Sequence, residues 1–148
     1  MAGLKLGLPN NFDKWDGYPL ARRRLLESAL EANANLVVLS GDSHHCWAFD
    51  LEVGGKPAGV EFAGHSVTSP GYEASIPQAR PADVERAFMI RNPTLKWSDF
   101  SHRGYVTIDV TPKRVTSEWH LLDTIRQRST SLAGTHRRSV SFGSNRLS

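Results

Sequence analysis

The sequence predicts an α/β domain, a mixed β-sheet with flanking helices. Three observations predict it. Leu25, Leu26, Ala29 and Leu30 form one stripe at helical spacing; a run of four large apolar residues (36–39) follows at once; and two pairs of alternating stretches fold back on themselves farther along. At 148 residues with 39% apolar content, the chain suffices for one domain with its own core. The single cysteine excludes an internal disulfide framework. No apolar run approaches the ~18 residues of a membrane-spanning helix, and the opening Met1-Ala2-Gly3-Leu4-Lys5 lacks the apolar core of a signal peptide.

The elements follow in chain order. Residues up to Lys14 show no period. Trp15-Asp16-Gly17-Tyr18-Pro19 reads as a turn in which Asp16 or Gly17 caps a helix and Pro19 opens it. That helix, over 19–33, places Arg22, Arg24, Glu27 and Glu31 away from its apolar stripe and packs on one face of the sheet. The apolar run after it predicts a strand over 36–40, buried on both faces. Alternation over 48–53 and 58–63 around Gly54-Gly55-Lys56-Pro57 predicts a hairpin. A loop of small residues, Gly64-His65-Ser66-Val67-Thr68-Ser69-Pro70-Gly71, precedes a short helix over 81–89 that Asn92-Pro93 breaks. A second hairpin, 105–110 and 115–121 around Thr111-Pro112-Lys113-Arg114, extends the sheet. Beyond Asp123 no apolar period is visible, which predicts a basic, Ser-rich tail, disordered or docked.

The net charge of +3 is uneven: from Lys113 onward seven Lys or Arg stand against Glu118 and Asp123 alone. A basic tail suits nucleic acid or an acidic surface, but only Phe142 is interleaved there, so nucleic acid is not the expected partner.

Asp42 and His44 are the sharpest chemical feature. Both lie just past the predicted strand, where open α/β sheets place ligand sites, and together they offer a hard carboxylate oxygen and an imidazole nitrogen, which suits a first-row metal or a harder cation. The same spacing also fits a strand-end turn with a capping aspartate and a surface histidine. Cys46 beside His44, His45 and His65 suggests a structural zinc less well than a small buried core residue, because no partner cysteine exists. Gly64-His65-Ser66-Val67-Thr68 lacks the second glycine of a nucleophile elbow. His65 either reaches a site at the edge where Asp42 lies or bonds to backbone in its loop. His102, His120 and His136 read as solvated or structural, and Trp15, Asp16 and Tyr18 as either a capping turn or one wall of a pocket.

Several strings occur together in order: Trp15-Asp16-Gly17-Tyr18-Pro19, then Leu39-Ser40-Gly41-Asp42-Ser43-His44-His45-Cys46-Trp47, Val60-Glu61-Phe62, Ser66-Val67-Thr68-Ser69-Pro70-Gly71, Asn92-Pro93, Arg103-Gly104-Tyr105-Val106 and Val110-Thr111-Pro112. From about residue 14 to 128 the chain resembles the C-terminal portion of the PhoD-like alkaline phosphatases, a branch of the calcineurin-like metallophosphoesterases. The resemblance implies a partial metallophosphoesterase-type sandwich, cut from a four-layer fold with two mixed sheets between helices. It implies metal-dependent hydrolysis of phosphate mono- and diesters with iron and calcium, Asp42 and His44 as metal ligands within Gly-Asp-x-His, His45 and His65 as catalytic groups, and Trp15, Asp16 and Tyr18 as substrate-binding residues. The family's N-terminal ligand motifs, Gly-Asp-x-x-Asp or -Tyr and Gly-Asn-His-Asp or -Glu, do not occur here. The expected organisation is therefore an N-terminal extension (1–14), the C-terminal part of a metallophosphatase domain (15–123) and the tail (124–148). Such a fragment is expected to be inactive alone and to self-associate, its partner being the missing N-terminal part of the enzyme. The parent family is periplasmic or secreted. The alternative is a non-enzymatic binding or assembly module that keeps the phosphatase surface and uses the basic tail.

Overall fold

The computed structural model describes residues 14–74 and 76–148, so the expected N-terminal extension lies outside the described residues except for Lys14. Helix α1 (Pro19–Glu31) leads into β1 (Leu36–Ser40), β2 (Cys46–Val53) and β3 (Lys56–Ala63); helix α2 (Pro81–Arg91) and β4 (Leu95–Asp99) follow, and then β5 (Gly104–Val110), β6 (Arg114–Leu122) and β7 (Leu132–Ser141). Strands β1–β4 form a mixed sheet in the order β1-β3-β2-β4, with β1 parallel to β3 and the other pairs antiparallel. Strands β5, β6 and β7 form a separate antiparallel sheet.

Strand alternation sorts the side chains into layers. Trp47, Phe49 and Leu51 of β2 face the helices, where α1 contributes Leu26 and Leu30 and α2 contributes Val84 and Phe88. On the opposite face Cys46, Ala48, Val60 and Phe62 meet Trp119 and Val140 of the second sheet. The order is helices, mixed sheet, antiparallel sheet: three of the four layers that the resemblance implies, with the second sheet antiparallel rather than mixed. Trp119 is fully buried at the centre. Its indole packs against Trp97 (centroids 4.7 Å apart) and Phe62 (5.8 Å), and Nε1–H donates to the Ala63 carbonyl at 2.9 Å.

Both helices, the strand over 36–40 and both hairpins form where the sequence predicts. Gly54 and Gly55 close the first hairpin with φ of 58° and 76°, the pair of left-handed residues that a two-residue type I′ turn requires. Pro19 opens α1 as expected, but neither Asp16 nor Gly17 caps it: Tyr18 holds the N-cap position without a side-chain bond, and Trp15–Gly17 forms a 3-10 turn. The strand over 36–40 is not buried on both faces. Among the described residues it lies at a sheet edge with β3 as its one neighbour, and Leu36, Val37 and Val38 are half-buried while Leu39 is 60% exposed. The second hairpin builds its own sheet instead of extending the first.

Two strands escaped the sequence. Strand β4 interleaves Leu95 and Trp97 with Lys96, Ser98 and Asp99, too short and polar to show a period. Of the two states expected for the tail, it is docked, and it docks as β7 along the whole of β6. Its half-buried or buried positions are Gly134, His136, Arg138, Ser139 and Val140, only one of which is aliphatic, so hydrophobic alternation is invisible. His136 stacks on Trp97 with centroids 3.9 Å apart, and Arg137 pairs with Glu118 across the strands. Buried Asp50 fixes the chain end: Oδ1 accepts the Leu147 N–H at 2.9 Å, and Oδ2 faces Arg146 Nη1 (3.5 Å) and Lys96 Nζ (3.6 Å).

Because Trp119 joins the two sheets by packing and by a buried hydrogen bond, Trp119→Ala should lower the unfolding free energy by about 3–5 kcal/mol. Urea denaturation measures this, and a loss under ~1 kcal/mol would show that the sheets hold together elsewhere.

Candidate metal and phosphate site

Parallel pairing of β1 and β3 determines where the loops emerge. Ser40 and Ala63 are register partners at the two C-terminal ends, and Gly64 N–H donates to the Ser40 carbonyl at 2.9 Å. Loop 41–45 and loop 64–71 therefore leave the same sheet edge side by side, at the carboxyl ends where α/β sheets bind ligands.

Loop 41–45 turns sharply. Ser43 N–H donates to the Gly41 carbonyl at 2.8 Å, with Asp42 (φ 66°) and His44 (φ 62°) both left-handed. Asp and His enter that region more readily than most residues, yet each such residue carries strain of order 1–3 kcal/mol that surrounding contacts must offset. Trp47 Nε1–H, donating to Ser43 Oγ at 2.7 Å, is one such contact. His44 Nδ1 lies 2.7 Å from the Pro70 carbonyl. A carbonyl only accepts, so Nδ1 carries the hydrogen and the neutral ring keeps its lone pair on Nε2. That is the tautomer of a metal-ligating histidine whose second nitrogen is held by backbone.

Asp42 is exposed and lines a groove of about 310 Å³ between α1 and the mixed sheet. Trp15 and Asp16 line it too, so the turn does serve as one wall of a pocket; Tyr18, 57% exposed at the N-cap of α1, is not among the lining residues. Sequence reasoning missed Lys14, Arg22 and Glu61, which also line the groove. Arg22 was legible only as the polar face of a helix, and Glu61 as the charged position of a half-buried strand. Burial lowers the Lys14 pKa, against the raising influence of the Asp16 and Asp42 carboxylates. The groove thus offers carboxylates at Asp16, Asp42 and Glu61, cations at Lys14 and Arg22, and the half-exposed indole face of Trp15.

Asp42 and His44 fit a metal ion in donor type and tautomer, but as two residues they supply only part of a coordination shell. Among the described residues no three His, Cys, Asp or Glu side chains converge as a cage.

The two histidines expected to be catalytic lie elsewhere in the packing. His45 is a core residue, 1% exposed, packed in a cluster with Tyr72 (4.8 Å) and Phe100 (4.2 Å), with Nε2 accepting the Tyr72 N–H at 3.1 Å. Burial, reinforced by the Arg103 charge, pushes its pKa down to about 4. There it anchors the segment that follows loop 64–71 and is not among the residues lining the groove. His65 is half-buried beside the Gly104 backbone and the His120 carbonyl, with no complete hydrogen bond at either ring nitrogen, and burial takes it to about 4 as well. Cys46 is the buried apolar residue that its sequence context suggests, its thiol pKa pushed up by burial. His102 pairs with Asp99, and His120 stacks on Tyr105.

A model of the PhoD-like phosphatase family matches residues 3–119. Alkaline phosphatase D of Bacillus subtilis (strain 168) is 35% identical over 118 residues, which cover 76% of this chain and 19% of that protein. A solved structure described as the structure of PhoD is similar with a TM-score of 0.75 and 25% identity, over 93% of this chain and 26% of its own. The chain thus spans about a fifth of the length of the curated relative it matches.

The two depressed histidines make stability depend on pH. Below the ordinary value of 6.5 the unfolded chain takes up protons that the folded chain refuses until about pH 4. Stability present above pH 6.5 is therefore lost as pH falls towards 4, by roughly 3 kcal/mol for fully buried His45 at 1.4 kcal/mol per unit of displacement. Unfolding free energies measured across this window should fall with pH, and His45→Phe should flatten the fall. An equally steep fall in that variant would place the proton uptake elsewhere.

Proposed function

The chain belongs to the PhoD-like phosphatase family, and on that premise we propose that Asp42 and His44 are one ligand pair of a metal-dependent phosphoesterase centre. The hydrogen bond from His44 Nδ1 to Pro70 carries this reading, because it leaves Nε2 available at the strand end that Asp42 shares. Iron and calcium are the metals proposed, by the family resemblance. When bound, such ions activate water and neutralise phosphate charge. The chain's own residues do the rest of the work on this side of the centre. Lys14 and Arg22 attract the phosphate oxygens of a mono- or diester, Trp15 offers an aromatic face to the ester's organic group, and Asp16 borders the same groove. Loop packing around buried His45 holds the ligand turn in place.

Two ligands do not complete a phosphoesterase centre. We propose that the remaining ones come from the rest of an enzyme of the relative's length, one exported to the periplasm or outside the cell, and that this chain alone does not turn over substrate. Self-association fits the same reading: among the described residues β1 presents an open edge with exposed Leu39. Sizing chromatography should report a species larger than the 16.4 kDa monomer. A binding module built on the basic tail is less well supported, since Arg137 and Arg146 are engaged with Glu118, Asp50 and Glu52.

Calorimetric titration with Co²⁺, as a transition-metal probe, should give binding that Asp42→Ala and His44→Ala each weaken about tenfold or more, because even outer-shell partners of a metal are worth that much. Unchanged affinity in both variants would remove the ligand assignment. With iron and calcium supplied, an aromatic phosphate ester should not be hydrolysed; turnover that Asp42→Ala abolishes would show that the chain carries a complete site.

A further inference from the structure

We propose that Arg103 and Glu73 are positioning residues for His44: as an ion pair they clamp the backbone on both sides of Pro70, so that its carbonyl fixes the tautomer of the His44 ring. The inference rests on the reading of His44 as a ligand.

The clamp is built from groups that the fold otherwise leaves unexplained. Arg103 follows β4 and is 3% exposed, a position where a guanidinium must be fully bonded. Its Nε donates to the Ser69 carbonyl at 2.9 Å and Nη1 to the His102 carbonyl at 2.6 Å, while Nη2 reaches Glu73 Oε1 at 2.5 Å and Oε2 at 2.6 Å. Glu73 Oε1 in turn accepts the Gly71 N–H at 2.9 Å. The ion pair thus grips the carbonyl just before Pro70 and the amide just after it. Proline's ring locks φ between them, which leaves the Pro70 carbonyl with little freedom except to face His44 Nδ1, 2.7 Å away.

Gly71 shows how closely this is packed. A Cβ there would come within 2.2 Å of both Arg103 Nη2 and His45 Cε1. Only glycine allows the loop backbone to lie against the guanidinium and the buried imidazole at once. The Ser66-to-Gly71 and Arg103-Gly104-Tyr105 strings, far apart in the chain, therefore meet at one contact. Arg is the residue this place calls for: its planar fork serves two carbonyls and a carboxylate simultaneously, whereas a lysine ammonium is a point donor.

The test reads the His44 ring directly. Imidazole ¹⁵N NMR of the metal-free chain should show His44 held as the Nδ1–H tautomer. In Arg103→Lys the two ring-nitrogen resonances should move towards each other as the tautomers average, while the Trp119 indole signal, which reports the core, stays in place. Should Arg103→Lys unfold, Glu73→Gln is read by the same criterion, because Glu73 is largely at the surface and Gln keeps an acceptor for Gly71. A folded variant with unchanged His44 resonances overturns the proposal. Titration with Co²⁺ alone should then be about tenfold weaker in the variant that averages the tautomers. If the wild-type chain binds no Co²⁺ yet its His44 resonances respond to the clamp as stated, the positioning stands and the ligand reading fails.

Discussion

The parallel pairing of β1 with β3 is the constraint on which the rest depends. Among the described residues every other strand pairing is antiparallel and brings a C-terminal end beside an N-terminal one. Among the described residues only the β1–β3 ladder sends two segments out of the sheet in the same direction at the same level, from Ser40 and Ala63. The ligand turn and the small-residue loop are neighbours for that reason. Had β1 run the other way, Asp42 and His44 would emerge at the opposite edge, and no choice of loop residues would bring Pro70 to His44. The long-range geometry of the site is thus set by strand direction, and its short-range geometry by hydrogen bonds within the two loops.

Those bonds hold a backbone that would not adopt this shape by itself. Two left-handed residues separated by one position are costly in an isolated turn, and the turn persists because its flanks are fixed: Gly64 bonds to Ser40, Trp47 to Ser43, and Pro70 to His44. Buried His45 lies between the turn and β2 and packs against the rings of Tyr72 and Phe100. Adjacent histidines consequently have opposite duties, one part of the core and the other bonded to the neighbouring loop at Pro70. The buried one directly precedes the first residue of β2, Cys46.

The elements legible in the sequence are those whose pattern is apolar and local. The helix stripe at Leu26 and Leu30, the run at 36–39 and the Gly54-Gly55 turn all carry their signal within a dozen residues. Strand β7 was not legible because His136 and Arg138 occupy half-buried positions, and their place is justified by a tryptophan and a partner strand that local sequence does not reveal. The edge position of β1 was misjudged for a related reason: four apolar residues announce a strand but do not state how many neighbours it has. At the site, Asp42, His44, Trp15 and Asp16 could be picked out by type and by family resemblance, while Lys14, Arg22 and Glu61 required the groove itself. His45 could not be told from His44 until the stacking rings were in place.

Asp50 shows one more thing about the molecule. Its carboxylate sits in β2 and receives the Leu147 amide, 97 positions later in the chain, while its own amide donates to Thr94. Without residues 146 and 147, the cation facing this buried acid among the described residues is Lys96, at 3.6 Å. Segments that close onto strands far back in the sequence make contacts of high separation, and such topologies fold slowly because a long loop must close before the contact rewards it. During synthesis the full set of partners for Asp50 is therefore complete only once residues 146 and 147 have been added.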